Sequence, residues 1–195
     1  DSFRRLAHVG VPATAANLLN PLTIGVITAL VAAYGPEAVA GFGVASRVES
    51  LVMIVIFAVS SSVTPFVGQN FGAGRIDRVR SMTRLSGQLC IAYGIAIAVV
   101  LWPAGAPLAA LFNDAPPVVS TAAAYLSIVP VTFGGFGVML VAAAAFNALG
   151  KPMPPTAMTF AKLFVVYIPL AWTLSRAVGL LGIFWANAIV HVLFG

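Results

Sequence analysis

The sequence predicts an all-α, polytopic transmembrane bundle of about six membrane-spanning helices. Three observations carry that expectation. Hydrophobic residues make up 61% of the 195 residues and charged residues only 8%, against about 25% charged in a soluble domain. Mean hydropathy is +1.03. The apolar residues fall into long continuous runs separated by short polar breaks, whereas barrel strands would show runs of about ten residues with alternating polarity. Helices meet their own backbone hydrogen-bond needs inside lipid, so continuous runs of this kind are read as helices.

The runs are expected as helices over approximately 6–34, 38–67, 85–112, 118–149, 156–174 and 179–195, forming one unit over residues 1–195. The first ends at Tyr34-Gly-Pro-Glu37, a turn signal. The second gives way to a Gly-rich, basic connector over 68–80. The third ends at Asn113-Asp-Ala-Pro-Pro117. The fourth is followed by Gly150-Lys-Pro-Met-Pro-Pro155, and the fifth ends at Ser175-Arg176. Several runs exceed about 20 residues, so tilted or projecting helices are expected. The chain starts at Asp1 without an initiator Met and stops at Gly195 inside an apolar run. Both ends read as cuts.

The formal charge is +5, but the basic residues are not gathered into a patch with interleaved aromatics, so nucleic acid is not an expected partner. They sit in alternate connectors instead. Arg4 and Arg5 precede the first helix, Arg75, Arg78, Arg80 and Arg84 follow the second, and Lys151 follows the fourth. The opposite connectors carry Glu37, Asp114 and a single basic residue, Arg176. The positive-inside rule assigns the basic side to the cytoplasm, with a cytoplasmic N-terminus. The expected setting is a multi-pass protein of a bacterial plasma (inner) membrane.

Cys90 is the only cysteine, which excludes an internal disulfide and a thiolate cluster. It reads as a small core residue. HExxH, paired intramembrane carboxylates and Cys/His clusters are missing, and Gly72-Ala-Gly74 lacks the Gly-Lys-Ser/Thr of a phosphate loop. The sequence is therefore not expected to be an enzyme or to hold a resident cofactor, and the metal question stays open.

Ionisable groups inside spans cost roughly 2.5–3.5 kcal/mol each on insertion scales and are functional candidates by default. Arg47 and Glu49 lie in the second run, each expected to face the bundle interior and pair across helices. Structural and transport roles weigh about equally for them. Lys162, two turns into the fifth run, is expected to snorkel to the headgroups. His191 reads as a satisfied interior histidine. The first run carries Asn17, Asn20 and Thr28 within one sector under about 90° wide. Such a stripe lines a watery cavity or bonds between helices. Pro12 and Pro21 are expected to bend that helix. Asn147 in the fourth run completes the cavity-lining set.

The segment Pro65-Phe-Val-Gly-Gln-Asn-Phe-Gly-Ala-Gly-Arg75, followed by Asp77 and Arg78, resembles the multidrug and toxic compound extrusion (MATE) family. There a similar Gly-Gln-Asn-x-Gly-Ala stretch follows the second helix of each six-helix lobe. Ala45-Ser-Arg-Val-Glu-Ser50, Asn147-Ala-Leu-Gly-Lys-Pro152 and Val9-Gly-Val-Pro12 are similar to family segments at the same places. The resemblance covers essentially the whole chain. It implies one lobe, the second more than the first, of a twelve-helix transporter. It further implies an antiporter exporting small-molecule organic, often cationic compounds against Na⁺ or H⁺ by alternating access. Its partners would be membrane lipid and the other six-helix lobe. In many members an acidic residue on the first helix of the second lobe takes part in cation coupling; the matching place here is near Asn20, which cannot titrate. The alternatives weighed are a lipid-linked saccharide flippase of the same superfamily, whose cavity would be more cationic, and a non-transporting membrane scaffold or subunit.

Overall fold

The computed structural model describes residues 18–19 and 21–195. Its elements are all helical among these residues. They run as α1 (Pro21–Ala32), α2 (Pro36–Gly72), α3 (Ile76–Ala110), α4 (Pro116–Ala148), α5 (Met153–Val178) and α6 (Leu180–Phe194). Helices α2 to α5 are long and apolar enough to cross a membrane; α1 and α6 are shorter apolar helices. Pro12, Asn17 and Asn20 lie outside the described residues.

The helix ends differ most from expectation between α2 and α3. The Gly-rich stretch 68–80 was expected to be a connector, yet only 73–75 separates the two helices. Arg75 N–H bonds Asn70 O at 2.8 Å and Gly74 N–H bonds Phe71 O at 3.0 Å. With Gly74 at φ +70°, this is a Schellman ending, which needs a residue free of the Cβ penalty at that one position. The other glycines are absorbed into the helix. The same device ends α4: Lys151 N–H reaches Phe146 O at 2.9 Å, Gly150 N–H reaches Asn147 O at 3.0 Å, and Gly150 has φ +70°. Pro152 then stops any continuation.

Internal prolines have unequal effects. Pro65 lies within α2, and Pro103 and Pro107 within α3, without ending either helix. Pro130 coincides with a 3₁₀ turn, Pro130–Thr132, that divides α4 into Pro116–Ile128 and Phe133–Ala148. In α5 the middle turn, Ala161–Tyr167, is a π-helix.

The long helices α2, α3 and α4 pack on one another, and α5 packs on α6, which also rests against α4. Small residues permit close crossings. A Cβ on Gly41 would stand 2.7 Å from Val118 O, and one on Gly137 would stand 2.7 Å from Cβ of Cys90. The buried apolar set runs through Ile56 and Val63 of α2, Leu126 and Phe133 of α4, and Ile183 and Phe184 of α6. Large apolar side chains also cover the outside, among them Val99, Trp102 and Leu111. That outward face is what a lipid solvent accepts and water does not.

Candidate functional site: a part-polar cavity within the bundle

A cavity of about 200 Å³ opens among α1, α2, α4, α5 and α6. Most of its wall is apolar: Ile27 from α1, Phe42 and Met53 from α2, Met139 from α4, and Leu163 from α5. Into this wall are set Ser46, Glu49, Tyr125, Lys162, Tyr167, Asn187 and His191. Few polar groups in an apolar hollow is the usual make-up of a small-molecule site.

The polar groups form two arrangements. In the first, the Tyr125 hydroxyl donates to Glu49 Oε2 at 2.6 Å. Asn187 Nδ2 donates in turn to Tyr125 Oη across a longer 3.4 Å. The Tyr125 ring is held edge-on between Phe42 and Phe184, at centroid distances of 5.5 and 5.1 Å. Aromatic packing thus aims one hydroxyl at one carboxylate. Tyr125→Phe keeps that packing and removes the donor. Its expected cost is about 1–3 kcal/mol of bundle stability, read as an earlier thermal unfolding of the purified protein in detergent.

In the second arrangement, Lys162 Nζ lies 4.6 Å from the centre of the Phe136 ring. Phe136 stacks on His191 at 4.8 Å and 24°. Thr132 donates its hydroxyl hydrogen to Val129 O at 2.8 Å. Its oxygen is therefore the acceptor in the 3.2 Å contact with His191 Nδ1. On that assignment the imidazole proton sits on Nδ1, and the ring is fixed by a neighbour on α4.

Lys162 corrects the sequence expectation. It does not snorkel to a headgroup surface; its ammonium lies over an aromatic ring beside the cavity. Thr159, Lys162, Leu163 and Tyr167 line the cavity from α5, and steps of three and four residues put them on one helix face. The π turn, Ala161–Tyr167, contains three of the four.

The other sequence candidates are scattered. Glu49 lines the cavity. Arg47, expected to turn inward as well, is exposed, because two positions on a helix differ by about 200° and only one of the pair can face in. Thr28 bonds Ile24 O of its own helix at 2.8 Å, and the α1 residues at the cavity are Thr23, Ile24 and Ile27. Asn147 lines a second hollow of about 400 Å³ between α2, α4 and α5, together with Ser60, Thr64 and Thr156. Asn17 and Asn20 lie outside the described residues. Sequence reading missed Ser46, Tyr167 and Asn187 as lining. Ser46 could have been found one turn from Glu49 (i−3), and Asn187 one turn from His191 (i−4), by helical spacing.

A bundle of long apolar helices around a small part-polar hollow is the class of a polytopic membrane transporter unit, and comparison with known proteins bears on which. The MatE family profile matches residues 12–173. The chain is 34% identical over 194 residues to a protein of Shewanella oneidensis named FAD transporter, matching all of this chain and 43% of that one. It is 24% identical over 201 residues to a probable multidrug resistance protein of Thermotoga maritima, matching 42% of that protein. Among solved structures, the Vibrio cholerae MATE transporter VcmN in its bent form superposes with a TM-score of 0.91 at 29% identity, over 96% of this chain and 43% of that one. The chain belongs to the MatE family. It is an integral membrane chain of a transporter family rather than of an enzyme family, and it spans less than half the length of these relatives.

Proposed function

We propose that this chain is one lobe of a secondary active exporter, in which the α1/α2/α4/α5/α6 cavity receives organic solutes during alternating access. The observation that carries the reading is the cavity itself: an apolar and aromatic hollow with Glu49 and Lys162 set into it inside a membrane bundle. Apolar walls with few polar anchors tolerate many shapes. The partner is a second six-helix lobe, since the chain spans 43% of the length of its Shewanella relative. Twelve helices in two like-oriented halves around a shared path form a parallel-repeat design. The basic connectors orient the lobe with its start in the cytoplasm of a bacterial inner membrane.

Antiport needs a group that a cation and a substrate cannot both satisfy at once. Glu49 is the carboxylate within the cavity, and in this reading H⁺ or Na⁺ binds there. Thr28 on α1 and Asn147 on α4, together with Asn17 and Asn20 outside the described residues, remain proposed contributors to a longer polar path. Relatives named for multidrug export support a broad range of substrates, and the family resemblance implies that many are cationic. The test is the intact protein expressed in cells lacking other pumps. Accumulation of a cationic dye should fall when the protein is present. Unchanged accumulation across cationic, neutral and anionic solutes would remove the efflux reading.

A second reading has its own support, the 34% identity to a protein named FAD transporter. Here the cargo is a flavin nucleotide, and Phe136 and Lys162 offer a ring face and a cation. Proteoliposomes loaded with FAD separate the two. FAD movement without dye movement selects the second reading; the reverse selects the first.

A further inference from the structure

A count of donors and acceptors in the cavity sharpens what its ligand must carry. Among the described residues, two buried side-chain polar atoms have no hydrogen-bond partner, Ser46 Oγ and Tyr167 Oη. Both belong to residues that line this one cavity. Tyr167 is only 2% exposed. Buried polar atoms are satisfied in the great majority of cases, so each of these hydroxyls calls for a partner beyond the described residues. Lys162 lines the same cavity and brings a cation to it, its ammonium lying over the Phe136 ring. On the acceptor side, Glu49 already receives Tyr125, and Tyr125 receives Asn187. Ser46 and Tyr167 therefore leave two hydroxyls available to donate from the α2 and α5 walls, beside acceptor capacity at Glu49 and at His191 Nε2. The cavity's formal charges, Glu49 and Lys162, cancel.

We infer that Ser46, Lys162 and Tyr167 form a donor subsite for the acceptor oxygen of a planar aromatic solute, a carbonyl or comparable group, with the ring lying against the Phe136 side of the cavity. Tyr167 and Lys162 both lie in the π turn, and departures of this kind from α-helical winding concentrate at functional positions. The inference rests on the proposed reading of this cavity as the substrate site.

Two probes of nearly the same shape test it: 9-fluorenone, with a ring carbonyl, and fluorene, with a methylene in its place. Binding to the intact protein is measured in neutral detergent. Fluorenone should bind more tightly than fluorene. Tyr167→Phe should weaken fluorenone about threefold to tenfold, the effect of one hydrogen bond, and leave fluorene unchanged. Ser46→Ala should act in the same direction. Neither change removes a hydrogen bond made among the described residues, so thermal unfolding should stay level or move upward, which keeps the test clear of misfolding. Equal binding of the two probes would overturn the donor subsite alone. So would a Tyr167→Phe protein that loses both probes equally or neither. Binding of neither probe would overturn the subsite and the cavity reading together.

Discussion

Replacing Glu49 with Gln should reduce cation-driven transport by the intact protein about 5- to 150-fold, the range of ordinary coupling free energies between two bound species. Glutamine has nearly the shape of glutamate and keeps an oxygen to accept from Tyr125, whose hydroxyl stands 2.6 Å from Glu49 Oε2. It cannot carry charge or take up a proton. The substitution therefore separates packing from coupling. In proteoliposomes with an imposed H⁺ or Na⁺ gradient, the Glu49→Gln protein should move substrate at the rate seen without a gradient. Substrate binding should survive, because the apolar wall and the Lys162–Phe136–His191 stack are untouched. Gradient-driven movement at the normal rate would falsify the assignment of coupling to this carboxylate. Which gradient loses its effect also identifies the coupling ion. The prediction is local to this lobe, and it moves the acidic group from near Asn20, where the family resemblance would look for it, to α2.

Gly94→Ala should destabilise the bundle by about 3 kcal/mol or more, at the upper end of the cost of overpacking a core. Gly94 of α3 crosses Gly134 at the start of the second half of α4. A Cβ on Gly94 would meet the Gly134 backbone nitrogen and stand 2.7 Å from Gly134 Cα and 3.2 Å from the Phe133 carbonyl carbon. These are backbone atoms, which cannot rotate aside. From the other helix, a Cβ on Gly134 would stand 3.0 Å from Ile91 Cα. The two helices touch backbone to backbone, the arrangement that small residues permit in lipid. The added methyl must force α4 away, and α4 carries both Tyr125 and Phe136. Thermal unfolding in detergent should come earlier, and binding to the cavity should weaken with it. Gly68→Ala in α2 is the control, since a Cβ there has open space around it and alanine favours helix by about 1 kcal/mol over glycine. Equal stability of the two variants would show that the close crossing is absent.

The two predictions differ in how far the sequence could have reached them. Glu49 was legible as a candidate because a carboxylate inside an apolar run is costly wherever it sits. Its partner was not. Tyr125 is 76 residues away, and nothing in local spacing joins them. Arg47 looked as promising as Glu49 and is exposed, since helical rotation separates them and the sequence does not say which face is inward. Gly94 and Gly134 were two glycines among 18. Only the crossing of α3 on α4 distinguishes them from Gly68.

The connectors tell a similar story at short range. Gly74 and Gly150 were readable as punctuation, and the structure puts a Schellman ending at each. The intervening Gly68 and Gly72 were read as loop because glycine is a weak helix former. In α2 they stay helical, since in an apolar environment every backbone N–H and C=O needs a partner and the helix supplies it.

By itself the sequence determined that this is a helical membrane chain, roughly where it turns, and which family it resembles. Those properties follow from hydropathy, backbone hydrogen bonding and glycine conformation, all of which act on neighbours along the chain. The tertiary structure alone decided which polar groups share a cavity. It turned Lys162 inward, set Tyr167 in the wall of the same cavity, and left two hydroxyls there without partners among the described residues. Helix rotation and crossing are set by packing between distant segments, and a one-dimensional pattern does not contain the angle at which two helices meet.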